Sequence, residues 1–116
     1  MKKSLTKKER LTVAEIKQIF SRKKRVKGLF SSLVYQENSL NYQRFAVSVG
    51  KKNGNAVVRN YLKRCSREAF RQNKLMLTKS YDLVWVIYPA TLPLDFNKEL
   101  VTLLLALNKL ALNEEN

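Results

Sequence analysis

Between positions 59 and 71 the chain sets out Arg59, Lys63, Arg64, Arg67 and Arg71, with Asn60 among them. Cations spaced three and four apart are poor acid–base or nucleophilic groups at neutral pH, because arginine does not give up its proton. They can neutralise phosphates. Each phosphate paired in this way releases condensed counterions, so the resulting affinity falls steeply with salt. Directly upstream lie Lys51, Lys52, Gly54 and Asn55. Asn55 is of a type that caps helix N-termini, where free N–H groups meet anions, and Gly54 permits a close approach.

Turning about 100° per residue from Val58 predicts a two-sided helix. Val58, Tyr61, Leu62, Cys65 and Ala69 fall on one side, to pack on a sheet. Arg59, Asn60, Lys63, Arg64, Arg67 and Arg71 fall on the other, to meet RNA. An ordinary charged face would simply be solvated. The single acidic neighbour, Glu68, argues against that reading and is expected to pair with Arg64 or Arg71. Phe70 falls off the apolar side and has no assigned role.

Other chemistries are poorly served. The chain has no histidine, which removes the commonest general acid–base and the commonest metal ligand together. Glu68, Asp82 and Asp95 sit on different predicted elements, without the clustering of a two-metal site. No catalytic residue and no protein-held metal are expected. The lone Cys65 excludes an internal disulfide, fits a reducing compartment, and is expected to be a buried packing residue.

The chain has 116 residues and a formal net charge of +14, enough for one domain with a modest core. Of its 23 lysines and arginines, 11 lie in residues 1 to 27 and 7 in residues 51 to 71. Such clustering points to a polyanion, with an anionic membrane surface as the competing explanation of charge alone. No apolar run reaches the roughly 20 residues of a membrane span. The basic N-terminus lacks the apolar segment of a secretory signal, so a cytoplasmic location is expected.

The elements that must position these residues follow from local signals. Residues 1–10 are expected to be a mobile basic arm. Thr12 and Glu15 form a capping box with Leu11 and Ile16 as hydrophobic staple, opening a helix to about Arg22 that presents Val13, Ile16, Ile19 and Phe20. The basic run Arg22 to Lys27 reads as a loop. Three β-rich runs follow, Leu29 to Tyr35, Arg44 to Gly50 and Tyr81 to Tyr88, with the polar stretch Gln36 to Gln43 connecting the first two. The third run is apolar throughout, as for a strand covered on both faces, with Trp85 in the core; Pro89-Ala90 ends it. A last helix is expected from about Asp95, with a stripe at Leu100, Leu103, Leu104, Leu107 and Leu110.

The stretch from Lys51 to Arg71 closely resembles the signature of the bacterial ribonuclease P protein subunit. The resemblance rests on Lys51-Lys52, Gly54-Asn55-Ala56-Val57, Arg59-Asn60, Lys63-Arg64 and Arg67-Glu68, and weaker likeness extends over nearly the whole chain. It implies an α+β fold, an α-β-β-β-α-β-α sandwich with a four-stranded mixed sheet and a left-handed βαβ crossover. Only three strands are visible in the residues themselves, and the fourth is implied by the resemblance through a different division of residues 29–50. The general preference for right-handed crossovers points the other way on the hand.

The resemblance also implies a function. The protein would bind the catalytic RNA and the 5′ leader of precursor tRNA, assisting endonucleolytic removal of the leader while the RNA and its bound Mg²⁺ do the chemistry. RNA contacts would come from Lys51, Lys52, Asn55, Arg59, Asn60, Lys63, Arg64, Arg67 and Arg71, and leader contacts from Phe20 and Tyr35, whose competing role is packing. No DNA or membrane partner is expected. Three positions depart from the family pattern: Tyr61 stands where a third basic residue is usual, Ile16 where a second phenylalanine is frequent, and Ile87 where members often carry a basic residue. A ribosome-assembly or other non-catalytic RNA-binding module of the same fold is the alternative, and a basic membrane-surface protein a weaker one.

Overall fold

A computed structural model describes residues 7–22, 24–89 and 94–114. In chain order its elements are α1 (Val13–Ser21), β1 (Arg25–Lys27), β2 (Ser31–Glu37), β3 (Arg44–Val49), α2 (Ala56–Asn73), β4 (Tyr81–Ile87) and α3 (Phe96–Glu114). The strands form one four-stranded sheet in the order β1-β2-β4-β3. β3 and β4 are parallel neighbours joined through α2, whereas β1–β2 and β2–β4 are antiparallel. This is the expected α+β mixed-sheet sandwich.

The fourth strand is not where the sequence placed it. It is β1, drawn from the basic run read as a loop, in which Val26 is buried between exposed Arg25 and Lys27. A three-residue strand with a single apolar position carries almost no periodic signal. Its pairing with β2 (Arg25 opposite Val34, Lys27 opposite Ser32) supplies what its sequence lacks. Lys23 and Ala90 lie outside the described residues, as do residues 1–6 of the expected basic arm. Residues 7–10 of that arm are docked: Lys7–Glu9 form a short 3-10 turn, Glu9 pairs with Lys74, and Arg10 bridges to Phe45 in parallel fashion at the β3 edge.

α1 begins as read. Thr12 accepts from the Glu15 N–H at 3.2 Å and the Glu15 carboxylate accepts from the Thr12 N–H at 2.8 Å. Leu11, Ile16 and Phe20 pack against a small cluster of Ile19, Val34 and Val84, but Val13, at 70% exposure, faces solvent. The opposite face of the sheet carries the larger core, in which Leu33, Phe45, Leu83, Trp85 and Ile87 meet Leu62, Ala69 and Phe70 of α2 and the leucines of α3. β4 is therefore covered on both faces, as its unbroken apolar run requires.

In α3 the buried stripe is Leu100, Leu103, Leu104 and Leu107, and then Ala111, whereas Leu110 is 40% exposed. Three helical turns span about 10.8 residues, so position 111 repeats the phase of Leu100 better than 110 does. Asp95 opens this helix by accepting from the Lys98 N–H at 3.0 Å. Glu99, buried one turn in, accepts from Leu29 N–H (3.2 Å), Phe30 N–H (3.0 Å) and Ser31 Oγ (2.6 Å), tying α3 to the start of β2. A Cβ at Gly28 would collide with the Glu99 carboxylate, so glycine leaves these hydrogen bonds undisturbed.

Candidate nucleic-acid interface

β3 and β4 end side by side, with Val49 opposite Ile87. From that end the chain passes through a 3-10 turn, Lys51–Asn53, into α2. The Asn53 amide donates to the carbonyls of Gly50 and Ile87, each at 3.2 Å, so the turn is fastened to both strand ends. Lys51 and Lys52 stand exposed on it. Gly54 has φ 132°, and a Cβ there would come within 3.1 Å of Val58. Asn55 then caps α2, its side-chain oxygen accepting from the Val58 N–H at 3.1 Å.

The buried face of α2 is rotated from the expected one. Leu62, Ser66, Ala69 and Phe70 are buried, Cys65 is half-buried rather than core, and Val58 and Tyr61 are 41% and 55% exposed. Full burial begins only at Leu62. Phe70, unassigned from sequence, is fully buried and stacks on Phe45 at 4.1 Å with planes 6° apart. Ser66 is tolerated because its hydroxyl donates to the Leu62 carbonyl at 2.8 Å. Sequence reasoning left Phe70 off the apolar side and gave Ser66 no place on it; the burial of both turns the packed stripe toward them.

The rotation sorts the basic residues. Asn60, Arg64 and Arg67 are exposed, and with Arg71 they point directly away from the buried stripe. Lys63 lies on the flank and Arg59 at the phase of the buried stripe itself, one turn before Leu62; both are half-buried, and the Arg59 Nε is buried with no hydrogen-bond partner among the described residues. Arg71 donates from Nε to Glu68 at 3.1 Å and makes a second, ion-paired contact with the same carboxylate. That pairing, anticipated from spacing, already neutralises much of its charge and holds the guanidinium's proton more tightly than usual. Lys51, Lys52, Arg59, Lys63, Arg64 and Arg67 make no ion pair with another described residue.

Phe20 and Tyr35 are not brought together. Phe20 packs with Val34 and Val84 on the α1 side of the sheet. Tyr35 is on the other side, packed against the larger core and edge-to-face with Tyr81 at 6.0 Å; burial raises its phenol pKa. Successive strand residues face opposite ways, and Tyr35 follows Val34. On Phe20's side the structure adds groups that the sequence did not single out. Tyr88, 39% exposed, shares a 2.6 Å hydrogen bond with Ser32. Arg25 and Lys27, opposite Val34 and Ser32, are exposed on this same side. The available signal was pairing register, which sequence periodicity does not give.

The carboxylates are committed elsewhere: Glu15 and Asp82 to Arg44, Glu9 to Lys74, Glu68 to Arg71 and Glu99 to the start of β2. Among the described residues no group of three or more His, Cys, Asp or Glu could hold a metal. These donors do not fit a Mg²⁺ site. Among the described residues, too, no helix is long and apolar enough to cross a membrane.

The family model described as Ribonuclease P matches residues 5–111. The ribonuclease P protein component of Petrotoga mobilis is 41% identical over 81 residues, covering 69% of this chain and 69% of its own length. That of Caldanaerobacter subterraneus subsp. tengcongensis is 35% identical over 115 residues, 99% of this chain and 97% of its own. Among solved structures, the RNase P protein from Thermotoga maritima superposes with a TM-score of 0.72 at 31% identity, covering 83% of this chain and 94% of that one. The Staphylococcus aureus RNase P protein gives a TM-score of 0.75 at 25% identity, covering 85% and 94%. With a family model spanning most of its length and relatives this similar, the chain belongs to the ribonuclease P protein family.

Proposed function

We propose that the exposed face of α2 and the Lys51–Lys52 turn bind the catalytic RNA of ribonuclease P, and that the α1 side of the sheet receives the 5′ leader of precursor tRNA. Family membership makes the chain the protein component of an endoribonuclease ribonucleoprotein that acts in processing of the tRNA 5′ end. The observation that carries the RNA assignment is the set of exposed cations on one side of a capped helix that have no ionic partner among the described residues. Phosphates would satisfy them and release counterions. The α2 N-terminus, with Asn55 and the free N–H groups of the first turn, adds a favourable site for an anion.

For the leader, Phe20 and Tyr88 supply aromatic surface and Arg25 and Lys27 supply charge on one side of the sheet, the combination that holds single-stranded RNA. Tyr35, on the other side, is assigned to packing in this reading. The Mg²⁺ ions that RNA-based catalysis uses are held by the RNA, and a cytoplasmic location goes with the partners.

Tethered cleavage tests the assignment. An iron chelate placed at Asn60→Cys or at Thr102→Cys, each in a Cys65→Ser background, should cut a bacterial ribonuclease P RNA transcript from position 60 and not from position 102. Equal cutting from both, or cutting from 102 alone, would move the RNA to another face.

A further inference from the structure

The first turns of α2 carry an exposed aromatic that no packing role explains. Tyr61 is 55% exposed, and Val57, one turn before it, is 77% exposed. The residues of this helix that pack into the core are Leu62, Ser66, Ala69 and Phe70, so core packing does not account for the ring. Yet the ring is held. The Arg64 guanidinium lies over it, 5.6 Å from its centroid. A cation over one face of an aromatic fixes its orientation, leaving the remaining surface for a partner. The neighbours Asn60, Arg64 and Arg67 are exposed, which suits a polyanion, whereas a hydrophobic protein surface would have to desolvate those cations.

We propose that Tyr61 stacks on an unpaired base of the catalytic RNA, with Arg64 bracing the ring and Arg67 meeting the adjoining backbone. The proposal rests on α2 being the catalytic-RNA interface. It gives the exposed ring a role that a solvated or packing tyrosine lacks. A π-face accepts any base and needs no counterion, so this contact adds affinity without adding salt dependence. Tyr61 thus contributes through stacking where a cation would contribute through charge.

The test measures affinity for a bacterial ribonuclease P RNA transcript across a salt series, using the full chain and variants with unchanged melting. Tyr61→Phe should bind within about twofold of the original protein. Tyr61→Leu, which keeps an apolar side chain in the helix, should bind roughly 5- to 150-fold more weakly at every salt concentration, with the slope unchanged. Tyr61→Arg should steepen the slope by about 0.7 to 0.9. Unchanged affinity in Tyr61→Leu would overturn the stack. So would a loss in Tyr61→Leu accompanied by a shallower slope, which would mean that the ring merely positions Arg64 on a phosphate. Reduced binding of Tyr61→Leu to phosphatidylserine vesicles with RNA affinity intact would overturn it in favour of a membrane. If the unmodified protein fails to bind the transcript, the interface reading itself falls and takes this proposal with it; failure of the Tyr61 variants alone leaves that reading standing.

Discussion

Arg44 grips Asp82 through two nitrogens, Nε to Oδ1 and Nη2 to Oδ2, both at 2.8 Å. Its remaining terminal nitrogen reaches Glu15, whose other oxygen closes the α1 capping box. One guanidinium therefore locks the first residue of β3 to β4 and to the helix that carries Phe20. Asp82 is 4% exposed, so removing the cation leaves a buried charge without its partner. Arg44→Ala should lower unfolding free energy by about 3 kcal/mol, the low end expected for breaking a buried pair, because water reaches the partly exposed Arg44 side. Urea denaturation checks this, and a loss below about 1 kcal/mol would show that Asp82 finds other partners.

The same network sets an acid limit. The Thr12 N–H first, and then Arg44 against an opposing effect of burial, holds the Glu15 carboxyl below its ordinary value of 4.5. A depressed carboxylate contributes stability that is full above its unfolded pKa and is lost as pH falls through the folded one. Melting temperature should therefore hold down to about pH 4.5 and drop below it. Glu15→Gln should be less stable at pH 7 and should show a shallower acid drop. A Gln variant with the same acid profile would remove Glu15 from the account.

Exposed cations should register in salt dependence. Replacing Arg64 and Arg67 together by alanine should reduce the slope of log affinity against log salt by about 1.4 to 1.8, two contacts at 0.7 to 0.9 each. Arg71→Ala should change it less, since Glu68 already occupies that guanidinium. Equal effects at all three positions would mean that the Glu68 pair opens on binding.

Phe20 and Tyr35, on opposite sides of the sheet, should separate by substrate. Phe20→Leu should shrink the preference for precursor over mature tRNA, consistent with about 1 to 3 kcal/mol for a lost base stack. Tyr35→Leu should lower melting temperature and weaken both substrates alike. The reverse pattern would place the leader on the α3 side.

What the sequence made legible was whatever repeats with a helix or strand period or follows from a cap. Thr12, Asn55 and Asp95 each open the helix expected of them, and β4 is doubly covered as its apolar run implies. What it hid depends on neighbours. Val26 becomes a strand residue only by pairing with Leu33. Phe70 becomes core, and Tyr61 surface, because the stripe of α2 that packs on the sheet is rotated from the one a wheel started at Val58 gives. Phe20 and Tyr35 were grouped through the family resemblance and their shared π-faces, but the one-residue step from Val34 to Tyr35 crosses the sheet.

Reconstitution decides whether this chain works as the protein component of a ribonuclease P. The protein is mixed with a bacterial ribonuclease P RNA, and cleavage of precursor tRNA is followed at low Mg²⁺, with RNA alone and protein alone as controls. RNA plus protein should cut faster than RNA alone at the mature 5′ end, while clean protein leaves the substrate intact. No acceleration despite bound RNA, or accurate cleavage by the protein alone, would contradict it.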